Sequence, residues 1–257
     1  MAPERNPDRD WEAWGKENPY FGVITHPKFL NANLNDDSLR EFFATGERHV
    51  EHVYALIRTS LQPTFQPSRV LDYGCGVGRL VVPFAKRSQA VIGIDVSRSM
   101  LDRARENCKK FGITSATLLH VDELDSLEPA SFDLVHSYIV FQHIPVSRGE
   151  LVLRKLVSLI AEGGVGAIHL TYYANQSSLR RAARALRQRV YLAHGLLNLV
   201  QRRPFSSPQM QMNSYSMNHI FEILIDAHCS HLRVEFSDHR DFHGAMLYFG
   251  KSPSPLL

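Results

Sequence analysis

Between Arg69 and Thr171 the apolar residues come in two alternating periods. Arg69–Tyr73, Ala90–Asp95, Ala116–His120, Phe132–Tyr138 and Val165–Thr171 are short runs rich in Val, Ile, Leu and Phe, and they read as buried strands. Between them lie stretches with helical spacing: Gly78–Lys86, Ser97–Lys110 with Ser97 as N-cap, and Ser147–Ala161. The third places Leu151, Val152, Leu156, Leu159 and Ile160 on one face. Strands that alternate with helices predict a parallel, doubly wound sheet covered on both faces.

Upstream, the chain to about Asn35 is rich in Pro and Asn with aromatic punctuation, and reads as an arm packed on a larger body. Asp36 or Asp37 is the expected cap of a long helix through Ser60. Downstream of Tyr173 the rhythm breaks into an Arg-rich helical stretch. A helix over Tyr215–Ala227 follows, then strands His231–Ser237 and Ala245–Phe249 joined closely enough to be an antiparallel hairpin. Four parts result: an arm and capping helix (1–62), a core (63–173), a helical insert acting as a lid (174–213) and a helix with hairpin completing the core (214–257).

Composition narrows this picture. The 257 residues, 44% hydrophobic and 21% charged, suit one globular domain with embellishments. No apolar run reaches the roughly eighteen residues of a membrane span. The opening MAPERNPDRDWEAW has no apolar signal segment, so cytoplasm is the expected compartment. Cys75, Cys108 and Cys229 lie far apart and suggest neither a disulfide framework nor a thiolate zinc site. The net charge of +3 is mild but uneven: Ala174–Phe221 has no Asp or Glu, while Arg180, Arg181, Arg184, Arg187, Arg189, Arg202 and Arg203 all fall there.

The stretch VLDYGCGVGRL carries the first chemistry. A dinucleotide loop, GxGxxG, needs a third glycine where this chain has Arg79, and a bulky side chain there disfavours a close pyrophosphate. No Walker GK[ST] follows. About twenty residues on, Asp95 ends the second strand, where its carboxylate can accept from both ribose hydroxyls. Asp122, at the next strand end, is placed to accept from an adenine amine, with Val96 and Leu124 beside the ring.

In this order and spacing, VLDYGCGVGRL, GIDVSRSML, HVDELDSLEPASFDLVHSYIVFQHIP and EGGVGAIHL resemble the successive motifs of class I methyltransferases dependent on S-adenosylmethionine (SAM). The resemblance covers roughly residues 68–172. It implies a seven-stranded, mostly parallel sheet with the last strand antiparallel, and SAM across the carboxyl ends, leaving S-adenosylhomocysteine (SAH) as product. By it, Gly74, Cys75 and Gly76 lie against the methionyl part and Asp72 orients the glycine loop and the cofactor's amino group. Asp95 binds the ribose, Val96 and Met100 flank the adenine, and Asp122 with Glu123 backs its edge. The flanks NPYFGVITHPKF with FFATGERHV, and QMNSYSMNHIFEIL with GAMLYFGKS, resemble a bacterial subset whose N-terminal part caps the cofactor. This would bring Phe43, Gly46 or Arg48 to SAM.

Methyl transfer is an in-line displacement, and a hydroxyl acceptor must also lose its proton. In the loop SYIVFQHIP, Tyr138 and Phe141 are expected to line the reactive space and His143 to be the base, unless His143 merely fastens the loop. Tyr172, Arg184 and Arg187 are expected on the acceptor side, the arginines contributing charge toward an anionic or lipid-carrying small molecule. The alternative for the insert is a surface helix with solvated arginines. The loop lacks the [NDS]PP[YFW] run of enzymes that methylate nucleobase amines, which disfavours that substrate class. His136 and His169 read as satisfied histidines within strands, and the turn from Asp238 to His243 as polar turn chemistry with no metal. The function expected is O-methylation of a small-molecule hydroxyl, of a secondary metabolite or sugar. The alternatives are an RNA or protein methyltransferase docking through the basic insert, or a non-catalytic SAM-binding regulator or partner subunit. A homo-oligomer is compatible with each.

Overall fold

The computed structural model describes residues 6–175, 208–239 and 241–252. Strands β1 (Arg69–Tyr73), β2 (Ala90–Asp95), β3 (Ala116–His120), β4 (Phe132–Ser137) and β5 (Ile160–Ala174) run parallel. With β6 (Cys229–Asp238) and β7 (Phe242–Lys251) they form a seven-stranded sheet of order β3-β2-β1-β4-β5-β7-β6, in which β7 is antiparallel to both neighbours. This is the doubly wound α/β class expected from the sequence. The chain steps from β1 outward to β3, returns to β4, and steps outward the other way. The order therefore reverses between β1 and β4, where sheets of this kind hold ligands beyond their carboxyl ends.

Strand alternation sorts the core into two layers. Val70, Leu134, Ala167 and Met246 face α3 (Asp36–Ser60), α4 (Val81–Ala85) and α5 (Arg98–Lys110). Their chain neighbours Leu71, Val135, Ile168 and Leu247 face α6 (Val146–Leu159) and α7 (Met217–Asp226). By the same parity Asp72, His136 and His169 stand on the α3 side.

Several local expectations are corrected. The arm is helical, with α1 (Pro7–Glu17) and α2 (Pro19–Val23). The cap of α3 is Asn35, whose side chain accepts from Ser38 N while Ser38 Oγ accepts from Asn35 N, so Asp36 and Asp37 fall in the first turn. The helix after the glycine loop starts at Val81, because Gly76 (φ 54°) and Gly78 (φ 81°) are left-handed and delay it. Leu151 of α6 is 70% exposed, and Leu153, Leu156 and Val157 make the inner face. Ser97 caps α5 as expected, accepting from Met100 N.

The cap docks through polar groups. Glu12 of α1 accepts from Ser97 Oγ (2.8 Å) and Ser99 Oγ (2.7 Å) at the start of α5. Asp8 pairs with Arg148 of α6 at 2.7 Å. Most of the expected lid, including Arg184 and Arg187, lies outside the described residues. No helix among the described residues is long and apolar enough to cross a membrane.

Candidate functional site

A cavity of about 890 Å³ opens where the strand order reverses, within the range that takes small molecules, about 300–1,000 Å³. Its floor is the glycine loop. Gly74 (φ 78°) and Gly76 adopt the left-handed backbone that glycine tolerates, and a Cβ on either would meet Val140 or Val23 at 2.2 and 2.7 Å. Asp72, Gly74, Cys75, Gly76, Asp95, Val96, Met100, Tyr138 and His143 all line the cavity, so residues read from the motifs converge on one space.

Asp95 buttresses the loop it faces. Its two oxygens accept from Gly76 N at 2.8 Å and Ser97 N at 2.9 Å. Burial pushes its carboxyl up to about 6, against the opposing pull of those backbone N–H groups and with a small further push from Asp72. The Val96 N–H adds a third pull, which leaves the carboxylate one further lone pair for a ligand hydroxyl.

Asp72 belongs to a chain of polar groups between the sheet and α3. His136 Nδ1 donates to Asp72 Oδ1 at 2.8 Å, and His136 Nε2 lies 3.0 Å from His49 Nε2. One proton lies between the two Nε2 atoms. Burial and then the neighbouring His136 hold His49 well below the usual imidazole range. His49 also packs on Tyr138, ring centroids 4.2 Å apart. The second Asp72 oxygen, Oδ2, is buried without a partner.

His143 sits in a closed sequence of hydrogen bonds. Its Nδ1 donates to the Gln211 carbonyl at 2.6 Å, which leaves the lone pair on Nε2, 3.1 Å from the Gln142 amide nitrogen. Gln142 in turn accepts from Thr171 Oγ1 at 2.9 Å. Burial lowers the His143 imidazole to about 4, the Gln211 bond opposing it, so the ring is neutral at neutral pH. Asn213 N donates to the Gln142 carbonyl, and the Tyr215 hydroxyl lies 3.0 and 2.9 Å from the carbonyls of Phe141 and Ile144. These contacts strap residues 208–216 over the loop after β4, and bring Met210 and Met212 to the cavity wall.

Other expected site residues stand elsewhere. The Asp122 side chain is 74% exposed and pairs with His120 and Arg98, and Glu123 accepts from His120 N; neither lines the cavity, whereas Val121 does. The short 3₁₀ turn Val121–Ser126 directs both acids outward. Phe141 is fully buried among Tyr73 and Tyr215, and Tyr172 points to the opposite sheet face, against Phe236. Neither reaches the cavity. From α3 it is Thr45 that lines it, while Phe43 packs in the core, Gly46 backs Arg79 and Arg48 is exposed.

Among the lining residues that escaped the sequence reading, two carry polar chemistry at the site. His239 borders the cavity with its Nε2 buried and, among the described residues, unpartnered, its ring 5.6 Å from that of His169. The polar turn was visible in the sequence, but not that its hairpin folds back to the strand ends. Arg79 lines the cavity with Nε buried and unpartnered; Nη1 donates to Thr45 Oγ1 at 3.3 Å. Among the described residues no group of three metal-ligating side chains is present.

Residues 70–164 match a family model described as a methyltransferase domain. The chain is 31% identical over 118 residues to the 23S rRNA (uracil(1939)-C(5))-methyltransferase RlmD of Burkholderia pseudomallei, covering 45% of this chain and 25% of that protein. It is 29% identical over 137 residues to the trans-aconitate 2-methyltransferase of Afipia carboxidovorans, 51% of each. The chain thus spans about a quarter to a half of the length of these curated relatives. The magnesium protoporphyrin IX methyltransferase ChlM from Synechocystis PCC 6803 with bound SAM superposes with a TM-score of 0.62 at 16% identity, over 98% of this chain and 100% of that one. At that identity the likeness is one of fold.

Proposed function

We propose, from the premise that this chain carries a class I, Rossmann-like methyltransferase domain dependent on SAM, that it transfers a methyl group to an oxygen of a small molecule. The observation that carries the reading is the covered cavity. It lies beneath α1, α2 and the 208–216 strap, and beyond the glycine loop it continues to Tyr138, Asp238 and His239. A cleft of this depth and volume suits a small acceptor.

The residues fit the cofactor. Asp95 keeps a lone pair for a ribose hydroxyl, Val96, Met100 and Val121 supply apolar walls for a flat ring, and among the described residues no donor reaches Asp72 Oδ2. When bound, the cofactor supplies an electrophilic methyl group on a sulfonium. The protein's part is to exclude water, align the acceptor and take its proton. His143 has both ring nitrogens engaged, which suits a fastening role. The His239 Nε2, buried beside the cavity with no partner among the described residues, is the better-placed proton acceptor.

The test is incubation with methyl-labelled SAM and separate small-metabolite and RNA fractions, the product read by mass spectrometry. Label on an oxygen of a small molecule supports the reading, and label only in RNA or protein refutes it. His239→Gln should lower kcat about 100-fold, the low end for a lost general base, while leaving SAH affinity intact. Unchanged kcat removes His239 from the chemistry.

A further inference from the structure

Arg79 brings a buried positive charge to the cavity wall, 8% exposed and with Nε unpartnered among the described residues. Helix α3 fixes its place: a Cβ on Gly46 would stand 2.2 Å from the Arg79 carbonyl oxygen and 3.2 Å from its Cγ. Thr45, one residue earlier, accepts from Nη1 at 3.3 Å and gives its own proton to the Phe42 carbonyl at 2.6 Å. That neutral contact leaves the charge uncompensated. Asp72, whose charge reaches Arg79, makes no ion pair with it and holds His136 instead. The stretch 176–207, outside the described residues, contains no Asp or Glu. A buried charge without a counterion is costly, so the pattern calls for an anion from the cavity.

Its neighbours show which ligand. Val96 and Val121 follow β2 and β3, so the walls for a flat ring lie on one side of the point where the strand order reverses. Tyr138 follows β4 and His239 follows β6, on the other side. Arg79 belongs with this second group. Its charge acts on the Tyr138 phenol, whose ring lies 5.4 Å from that of His169, and the His169 ring lies 5.6 Å from that of His239. Met210 and Met212 add apolar surface. Arg148, also on the cavity wall, is spent on Asp8 at 2.7 Å. One uncompensated guanidinium matches a carboxylate better than a phosphate dianion. We infer that Arg79 is the carboxylate site of the methyl acceptor, and that the substrate class is a small hydroxy acid whose body lies along Tyr138 toward His239. This rests on the small-acceptor reading above and adds the charge that the acceptor carries.

Calorimetry with the protein saturated by SAH reads this subsite without turnover. The probes are benzoate, a carboxylate on a flat apolar body, and benzamide, its neutral counterpart. Benzoate should bind about tenfold more tightly than benzamide, the scale of one charge-assisted pair. Arg79→Gln should abolish that preference with SAH affinity unchanged, and Arg79→Lys should keep part of it. The wild-type comparison needs no variant: if the two probes bind equally, or neither binds, the subsite is refuted. A preference that survives Arg79→Gln refutes it too. If Arg79→Gln weakens SAH as much as benzoate, the guanidinium serves the cofactor and the assignment is overturned. The labelling experiment above separates the two readings. Label on an oxygen of a neutral metabolite overturns the carboxylate site while O-methylation stands. A benzoate preference with no labelled small-molecule oxygen keeps the carboxylate site and refutes O-methylation.

Discussion

Asp95 offers a quantitative test of the cofactor site. Its carboxyl lies at about 6 rather than 3.8 because burial at the base of the cavity opposes ionisation more than the N–H groups of Gly76 and Ser97 favour it. A folded-state value above the ordinary one means that the ionised group costs stability. The cost is absent below pH 3.8 and complete once the pH has risen past 6. About two units correspond to at most about 3 kcal/mol, less for water screening at the cavity wall. Ribose hydroxyls donating to this carboxylate favour its ionised form, so ligand binding must pull the value down. Only about a tenth of Asp95 is ionised at pH 5 in the free protein, so SAH should bind about tenfold more weakly there than at pH 8. Calorimetric titration from pH 8 to pH 5 reads this slope directly. Asp95→Asn should bind SAH about 1–3 kcal/mol more weakly at pH 8, the cost of a lost charge-assisted pair, and show a flattened slope. A wild-type affinity constant across the range, or an Asn variant with the wild-type slope, would refute the assignment of Asp95 to the ribose.

Two further outcomes test the cover over the cavity. A Cβ at Gly149 would sit 1.9 Å from the Tyr215 hydroxyl, which the carbonyls of Phe141 and Ile144 hold in place. Gly149→Ala should therefore cost about 1–3 kcal/mol, seen as a lower Tm, and adding Tyr215→Phe should recover part of it; a Tm equal to wild type would show that the strap yields freely. For Glu12, burial alone would raise the carboxyl, but the bonds from Ser99 and Ser97 outweigh it and hold it at about 2. That contribution is present above 4.5 and is lost as pH falls toward 2, so fluorescence of Trp11 and Trp14 should report loosening of α1 in that window. Glu12→Gln should abolish the acid transition, and an unaltered transition would assign it to another group.

The chain's own pattern determined what depends on near neighbours. Short apolar runs mark β1 to β5, Ser97 sits one residue before a helix whose third N–H it caps, and Gly74 and Gly76 announce a left-handed turn. Motif spacing pointed to Asp95 and Val96, and the family resemblance added Asp72 and Met100; all four stand at or just beyond the carboxyl ends of β1 and β2 and line one cavity. Tertiary structure decided everything that depends on which distant segment arrives beside a strand end. Strand parity turned Tyr172 away from the site, and a single 3₁₀ turn carried Asp122 and Glu123 out to solvent. The return of the β6–β7 hairpin brought in His239, and α3, some thirty residues upstream of Arg79, brought Thr45 to its guanidinium. Motif spacing is set by the covalent chain and can be read along it. The pairing of Asp72 with His136 and the placing of Arg79 beside Thr45 are set by close packing across it, where the arrival of a distant side chain decides which buried charge finds a partner.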